Sequence, residues 1–428
     1  MDRAGWADLG WGRVFSAPMT YGTTAGSADV PAFSEHARHW GLSPRVCFLN
    51  HGSFGACPIP VLERQSEWRE LIERQPVRFY MRRLEEQLDL ARGELAEFVG
   101  AQREDLAFMA NATEGVNTVL ASCPVEPGDE WLVTDQEYNA SANALEYWAG
   151  VRGATVRVVP LPFPLASSEQ AVEAIVGAVG ERTRMALFDH VTSQTGLVLP
   201  IERIVPALRE KGVESLVDGA HALGMLRLDL DELGAAYYTS NAHKWLCCPK
   251  GAAFLHVRRD RQEGLRPLAI SHGANSKRTD LSRFQIEFGW RGTDDPTAWL
   301  VVPTAIRFLR GLFPGGFVQL RASNRALVLE AREMLCGALE IDAPAPEDMI
   351  GSLAAVPIWP RTDESSPNSP FAIDPVQQAL YTHGIEVPVQ VWPKAPERVL
   401  RVSAQAYNSK EQYEYLAEKL AGLRKARV

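Results

Sequence analysis

The sequence predicts an α/β protein: a large domain built on a mostly parallel sheet between helices, then a smaller C-terminal α/β domain. Three observations carry this. Short apolar runs alternate with amphipathic helical stretches from about residue 106 to 257, and such alternation requires crossover connections with helices on both faces of a sheet. Near Pro303 the pattern changes to longer helices around short strands. The length, 428 residues with 46% hydrophobic and 23% charged, suits two or three globular lobes.

Residues 1–45, mixed and rich in small side chains, read as an arm or an unstructured terminus. Order is expected from Val46–Leu49, followed by a turn over Asn50–Gly55. Pro58 opens a helix to about Gln75, because proline suits the first helical turn. A second helix, about Met81 to Val99, carries Leu84, Leu88, Leu95 and Phe98 at helical spacing. Strands are expected at Leu106–Met109, Trp131–Thr134, Thr155–Val159, Met185–Phe188, Ser215–Val217, Ala236–Thr239 and Ala252–Val257. Helices near 113–122, 140–150, 168–179 and 201–211 lie among them. Beyond Pro303, helices at about 316–338, 374–383 and 409–424 flank strands near 352–358 and 397–402.

Charge and cysteine content narrow the function. The net charge of −9 disfavours a general nucleic-acid or anionic-membrane binder. The six cysteines form no CxxC pair, so reduced thiols in a cytoplasm are expected. The first residues show no apolar signal region, and no run of about 18 apolar residues spans a membrane.

In an open sheet of this kind ligands bind beyond the carboxyl ends of the strands, and three segments after strands carry chemistry. Lys244 follows a strand and precedes the turn Pro249–Gly251; a lysine held beside an aldehyde cofactor forms a Schiff base, although most lysines only face solvent. Asp218 ends an apolar strand, where a carboxylate suits a pyridine nitrogen or simply caps a helix. Together these two suggest pyridoxal phosphate. Asn111–Asn117 follows a strand and opens a helix, so its amides and the Thr113 hydroxyl make either a phosphate cup or an ordinary cap. His51, in the glycine-rich turn, is a candidate substrate contact or a plain turn residue. Arg78, Tyr80, Arg82 and Arg83 form a basic-aromatic cluster, either a reader of an acidic group or a solvated helix start. The pair Cys247-Cys248 reads as packing behind the lysine, with a redox pair as the rival.

Taken together, Leu49–Gly55, Asn111–Asn117, Glu137-Tyr138, His190–Pro200, Asp218–His221, His243–Gly251, Gly292–Asp294 and Leu400–Asn408 resemble the fold-type I pyridoxal-phosphate enzymes. The likeness is to their class V aminotransferase branch, and within it to isopenicillin N epimerase-like proteins and related carbon–sulfur lyases. It spans roughly residues 46–425 in the family's order. The resemblance implies a segment 46–85 joining the small domain, a large cofactor-binding domain over 86–305 and a small domain over 306–428. It implies Lys244 as the Schiff-base lysine and Cα base, and Asp218 at the pyridine nitrogen. Tyr138 stacks on the opposite cofactor face, and Ser193 and His221 meet the phenolic oxygen. Ala112, Thr113, Asn241 and His243 hold the phosphate, and Thr293 reaches the phosphate of a neighbouring subunit in a homodimer. Arg401 grips the substrate α-carboxylate, with Trp290 and Arg291 entering from the partner chain and Trp392, Tyr407 and Asn408 around the substrate pocket.

Cysteine desulfurases of this branch carry a nucleophilic cysteine shortly before the carboxylate-binding arginine. Residues 384–396 contain none, so a persulfide-forming desulfurase is not expected. The expectation is a lyase cleaving the β C–S bond of a cysteine-derived thioether or sulfoxide. An amino-acid epimerase is the alternative, and a decarboxylating or transaminating variant is a further one. His221, where a related epimerase has glutamine, favours the lyase.

Overall fold

The computed structural model describes residues 30–361, 369 and 372–426. Its centre is a seven-stranded sheet in the order β2-β8-β7-β6-β5-β3-β4. The strands are β2 Leu106–Met109, β3 Glu130–Thr134, β4 Thr155–Val159, β5 Thr183–Asp189, β6 Glu214–Asp218, β7 Tyr237–Asn241 and β8 Ala253–Val257. Only β8 runs against its neighbours, β2 and β7; the other pairings are parallel. The sheet is therefore mostly parallel, as the alternation of elements predicts.

Side chains of these strands divide by the two-residue period. Leu132, Ala186, Phe188 and Val217 face one core, which continues into the C-terminal part of the chain. Trp131, Val133, Met185, Leu187 and Leu216 face a second core. Helices Ala112–Ser122 and Asn139–Arg152 cover this second face, supplying Val116, Val119, Leu120, Ala144 and Leu145. Burial on both faces is why these strands read as continuous apolar runs rather than alternating ones.

The C-terminal part holds a three-stranded antiparallel sheet, β11 Val389–Val391, β12 Arg398–Ser403 and β9 Leu353–Ile358. The long helix Gly316–Leu339 and the final helix Lys410–Ala426 pack with it through Leu335, Leu339, Leu416 and Leu420. Strand β1, Cys47–Phe48, pairs in parallel with β10, Ile385–Glu386, so an early segment of the chain is tied to a late one. Residues 1–29 of the expected arm lie outside the described residues. Residues 30–45 dock on the body: the Ser34 amide donates to the Tyr407 carbonyl at 2.9 Å, and Trp40 is buried with its indole N–H on the Ala56 carbonyl at 3.2 Å.

Two local expectations need revision. Asn50–Gly55 contains a single helical turn, His51–Phe54, stopped by Gly55 at φ +69°. The second helix begins at Leu84 rather than Met81, because Pro76–Arg82 forms a separate short helix between Ile59–Arg74 and Leu84–Val99. Pro76 lacks the N–H that would continue the first helix. Short helices at Arg283–Gly289, Thr297–Leu300 and Val302–Leu312 were not anticipated. Among the described residues no helix is long and apolar enough to cross a membrane.

Candidate active site

Strands β2, β3, β5, β6 and β7 point their carboxyl ends to one side, and Asn111, Tyr138, Ser193, Asp218 and Lys244 sit at or just beyond them. The parallel crossovers create this convergence; no helix could gather residues so far apart in sequence.

Lys244 lies in a tight loop between β7 and β8. Cys248 N–H donates to the Ala242 carbonyl at 3.0 Å and Cys247 N–H to the Lys244 carbonyl at 2.9 Å. Two glycines allow this loop to seat. A Cβ on Gly55 would stand 2.1 Å from the His243 carbonyl oxygen, and one on Gly224 would stand 2.5 Å from the Trp245 carbonyl group. Both have positive φ, a conformation glycine adopts without steric cost.

The Lys244 amine is 3.1 Å from His221 Nε2, while Trp245 Nε1–H donates to His221 Nδ1 at 3.4 Å. An imidazole that accepts at Nδ1 carries its proton at Nε2 when neutral. That N–H faces the amine and donates to it once the amine has lost its own proton. The electrostatics agree. Burial, reinforced by Arg401 and partly offset by Asp218 and Asp189, pulls the Lys244 pKa down to about 8. Burial, then Lys244, holds His221 well below the usual histidine range.

Asp218 ends β6 and is buried. Its Oδ2 accepts from Ser141 Oγ at 2.8 Å and its Oδ1 from the Ala220 amide at 3.0 Å. Burial raises its pKa, against the pull of those two hydrogen bonds and Lys244. Ser141 was not anticipated; its only signal was its place on the helix that starts beside Tyr138. Tyr138 is 41% exposed, so it borders solvent, with its ring centroid 6.0 Å from Lys244 Nζ.

Asn111, not Thr113, caps the helix after β2, its side chain accepting from the Glu114 amide. Asn241 Oδ1 takes the Ala112 amide at 2.8 Å, joining the β7 end to this helix start. Thr113 is half-buried in the first turn. His243 Nδ1 meets the Ala252 carbonyl at 3.2 Å, and burial lowers its pKa to about 4. A helix N-terminus beside a neutral imidazole suits an anionic group.

Arg401 comes from β12 and is buried. Its guanidinium donates to the Ser193 carbonyl and, at 3.0 Å, to Ser53 Oγ, and its Nε has no partner. Among the described residues no carboxylate pairs with it. A buried cation with a spare donor is built for an incoming anion.

His51 and Asn408, expected at the substrate, are held by hydrogen bonds within the chain. His51 is fully buried, with Nδ1 on Tyr407 Oη at 2.8 Å and Nε2 on the Lys244 carbonyl at 3.0 Å. It braces the lysine loop from behind. Asn408 Nδ2 donates to the Phe48 carbonyl and to Gln412 Oε1, both at 3.0 Å, and its Oδ1 takes the Gln405 amide. Its polar atoms are spent on packing. Thr293 lies exposed on the loop after Arg283–Gly289. Tyr80, from the basic-aromatic cluster, donates its hydroxyl to the Asp294 carbonyl in that same loop at 2.7 Å.

Comparison with known proteins places these features in context. The family model for class-V aminotransferases matches residues 60–356. An isopenicillin N epimerase of Amycolatopsis lactamdurans is 38% identical over 401 residues, 90% of this chain and 96% of the relative. A putative L-cysteine desulfhydrase 1 of Oryza sativa subsp. japonica is 32% identical over 402 residues, covering 87% and 82%. Among solved structures, the cystine C–S lyase C-DES in complex with cysteine persulfide aligns with a TM-score of 0.72 at 22% identity, covering 88% of this chain and 97% of that one.

Proposed function

The chain belongs to the class-V aminotransferase family, and from that premise we propose that it eliminates across the β C–S bond of a cysteine-derived thioether or sulfoxide. It is a pyridoxal-phosphate enzyme of the lyase or epimerase kind. The site residues fit that cofactor: a buried amine of lowered pKa at Lys244, a buried carboxylate without a cationic hydrogen-bond partner at Asp218, and a capped helix start at Asn111. When bound, the cofactor supplies an electron sink for the Cα–H bonding pair.

The remaining steps fall to this chain's own side chains. Arg401 offers its fork to the substrate α-carboxylate and orients Cα. Lys244, beside His221, takes the Cα proton in its deprotonated form. Tyr138, 41% exposed at the rim, is assigned the transfer of a proton to the departing sulfur. Ala112, Thr113, Asn241 and His243 surround the phosphate position, and Ser193 and His221 the phenolic oxygen. For a thioether the balance is substrate plus water giving pyruvate, ammonia and a thiol.

The observation that carries the reading is the state of the thiols. Five of the six cysteines are buried and Cys57 is half-buried. Burial raises every one, Cys47 and Cys123 to about 11 and Cys57 to about 12. No thiolate stands ready to intercept sulfur, so direct elimination suits this chain better than persulfide transfer. The 32% identity to a putative cysteine desulfhydrase supports the same choice.

A second reading, amino-acid epimerisation, is favoured by the 38% identity to an isopenicillin N epimerase and would use Tyr138 as the acid opposite Lys244. One experiment separates them. The purified protein is given S-alkyl cysteines in deuterated water and the products are read by mass spectrometry. Pyruvate with free thiol is expected; deuterium at Cα without C–S cleavage would replace the lyase by the epimerase.

We further propose a homodimer whose sites are shared through Thr293. Exposure of Thr293 supports this, as does the exposure of Val77 and Met81 on the short helix whose Tyr80 braces the Thr293 loop.

A further inference from the structure

Behind the expected position of the ring nitrogen lies a feature that the proposed reaction does not use. Glu137, Asp189 and Asp218 offer carboxylate oxygens that all lie within 4.8 Å of one another. They come from the ends of three neighbouring strands. Glu137 follows β3, and Asp189 and Asp218 sit in register at the last positions of β5 and β6. Their exposures are 4%, 1% and 1%.

The three are not equally satisfied. Asp218 has Ser141 and the Ala220 amide. Both oxygens of Glu137 and Oδ2 of Asp189 have no hydrogen-bond partner. The backbone amides of Tyr138 and Asp189 pull the Glu137 pKa down, and burial and the two neighbouring carboxylates outweigh them. Among the described residues, no arginine or lysine forms an ion pair with any of the three. Lys244 and the phenol of Tyr238 are the other titratable groups facing the cluster.

Carboxylates whose oxygens lie within 4.8 Å of one another do not all ionise in a dry pocket. An orphaned carboxylate oxygen becomes a donor once it is protonated, and a hydrogen bond from a neutral acid to a carboxylate is short and strong. We propose that Glu137 and Asp189 are neutral acids that donate hydrogen bonds within the trio, so that Asp218 alone carries negative charge. They are positioning residues, and the proposal rests on the reading of Asp218 as the partner of the ring nitrogen. Burial first, then the neighbouring carboxylates, pushes both acids well above the ordinary carboxylate range. The arrangement bears on Lys244 as well. Three ionised carboxylates would hold its amine protonated, whereas one leaves it free to act as a base.

The test uses infrared difference spectra of the cofactor-loaded protein at neutral pH, variant against wild type. Glu137→Gln and Asp189→Asn should each remove one carbonyl band of a buried protonated acid, and Asp218→Asn should remove none. A metal assay accompanies them. Loss of no acid band in Glu137→Gln or Asp189→Asn, or one tightly bound divalent cation per chain, overturns the proposal. A second readout is the pH midpoint of the visible band. Replacing a neutral acid by an amide should leave it within about half a unit, whereas removing a full charge from this pocket should move it by about one unit or more. Glu137→Leu, which removes the donor as well, should weaken cofactor retention about tenfold or more. Should the protein take up no pyridoxal phosphate, the visible band fails but the infrared bands still report where the protons sit. The two failures are thereby distinguishable.

Discussion

At the scale of single residues, burial sets reactivity. Lys244 titrates near about 8 instead of 10.5 because its charged form is poorly solvated and faces Arg401. The rate at which it captures the cofactor aldehyde should therefore rise with pH to about 8 and then level off. An ordinary lysine would keep rising to about 10.4. Stopped-flow absorbance on cofactor-free protein measures this, and a continued rise past pH 10 would refute the assignment. The sign for stability follows. Between about 8 and 10.5 the unfolded chain holds more protons than the folded one, so this group's contribution to stability rises with pH across that window. Arg401 makes a second prediction. Removing a charge-assisted fork costs about 1.5–3 kcal/mol, so Arg401→Ala should raise KM for an amino-acid substrate about 10- to 100-fold, and Arg401→Lys should fall between. An unchanged KM would put the carboxylate elsewhere.

At the scale of elements, the lysine loop and the Asn111 helix start hold the site's geometry. Gly55 has φ +69°, and any Cβ there would stand 2.1 Å from the His243 carbonyl. Gly55→Ala should cost about 2 kcal/mol or more of stability and much of the turnover, read from denaturant midpoints and a product assay. Asn111→Ala removes the cap of Ala112–Ser122. A loss of about 1 kcal/mol is expected, together with weaker cofactor binding if the same turn holds the phosphate as proposed. Most elements were legible from the sequence because their apolar periods are strong. The break before Leu84 was not, because the apolar spacing of Leu84, Leu88 and Leu95 continues backward smoothly. A residue without an apolar partner, such as Arg83, gives the period nothing to register.

At the scale of the whole molecule, the termini and the proposed dimer govern assembly. Trp40 and Ser34 clasp the segment around Tyr407, and β1 pairs with β10, so the two ends of the described chain close on one another. If Thr293 completes the site of a second copy, mixing Lys244→Ala with Thr293→Ala chains should restore activity. Each mixed pair would then hold one site with both wild-type residues. No recovery after subunit exchange, with mixed pairs verified by mass, would assign Thr293 to its own chain or to no site.

The sequence by itself determined the α/β class and the run of strands and helices, and it set Asn111, Asp218 and Lys244 at or just after the ends of strands. Those depend on periods within a few residues and on motifs that sit just after strands. The tertiary structure alone decided which polar atoms meet. It put His51 behind the Lys244 carbonyl, spent Asn408 on Phe48 and Gln412, aimed the Trp245 indole at His221, and gathered Glu137 and Asp189 beside Asp218. The reason is physical. Whether two distant side chains touch depends on sheet register and crossover packing, which no local pattern encodes, and in a buried site those meetings set where each proton resides.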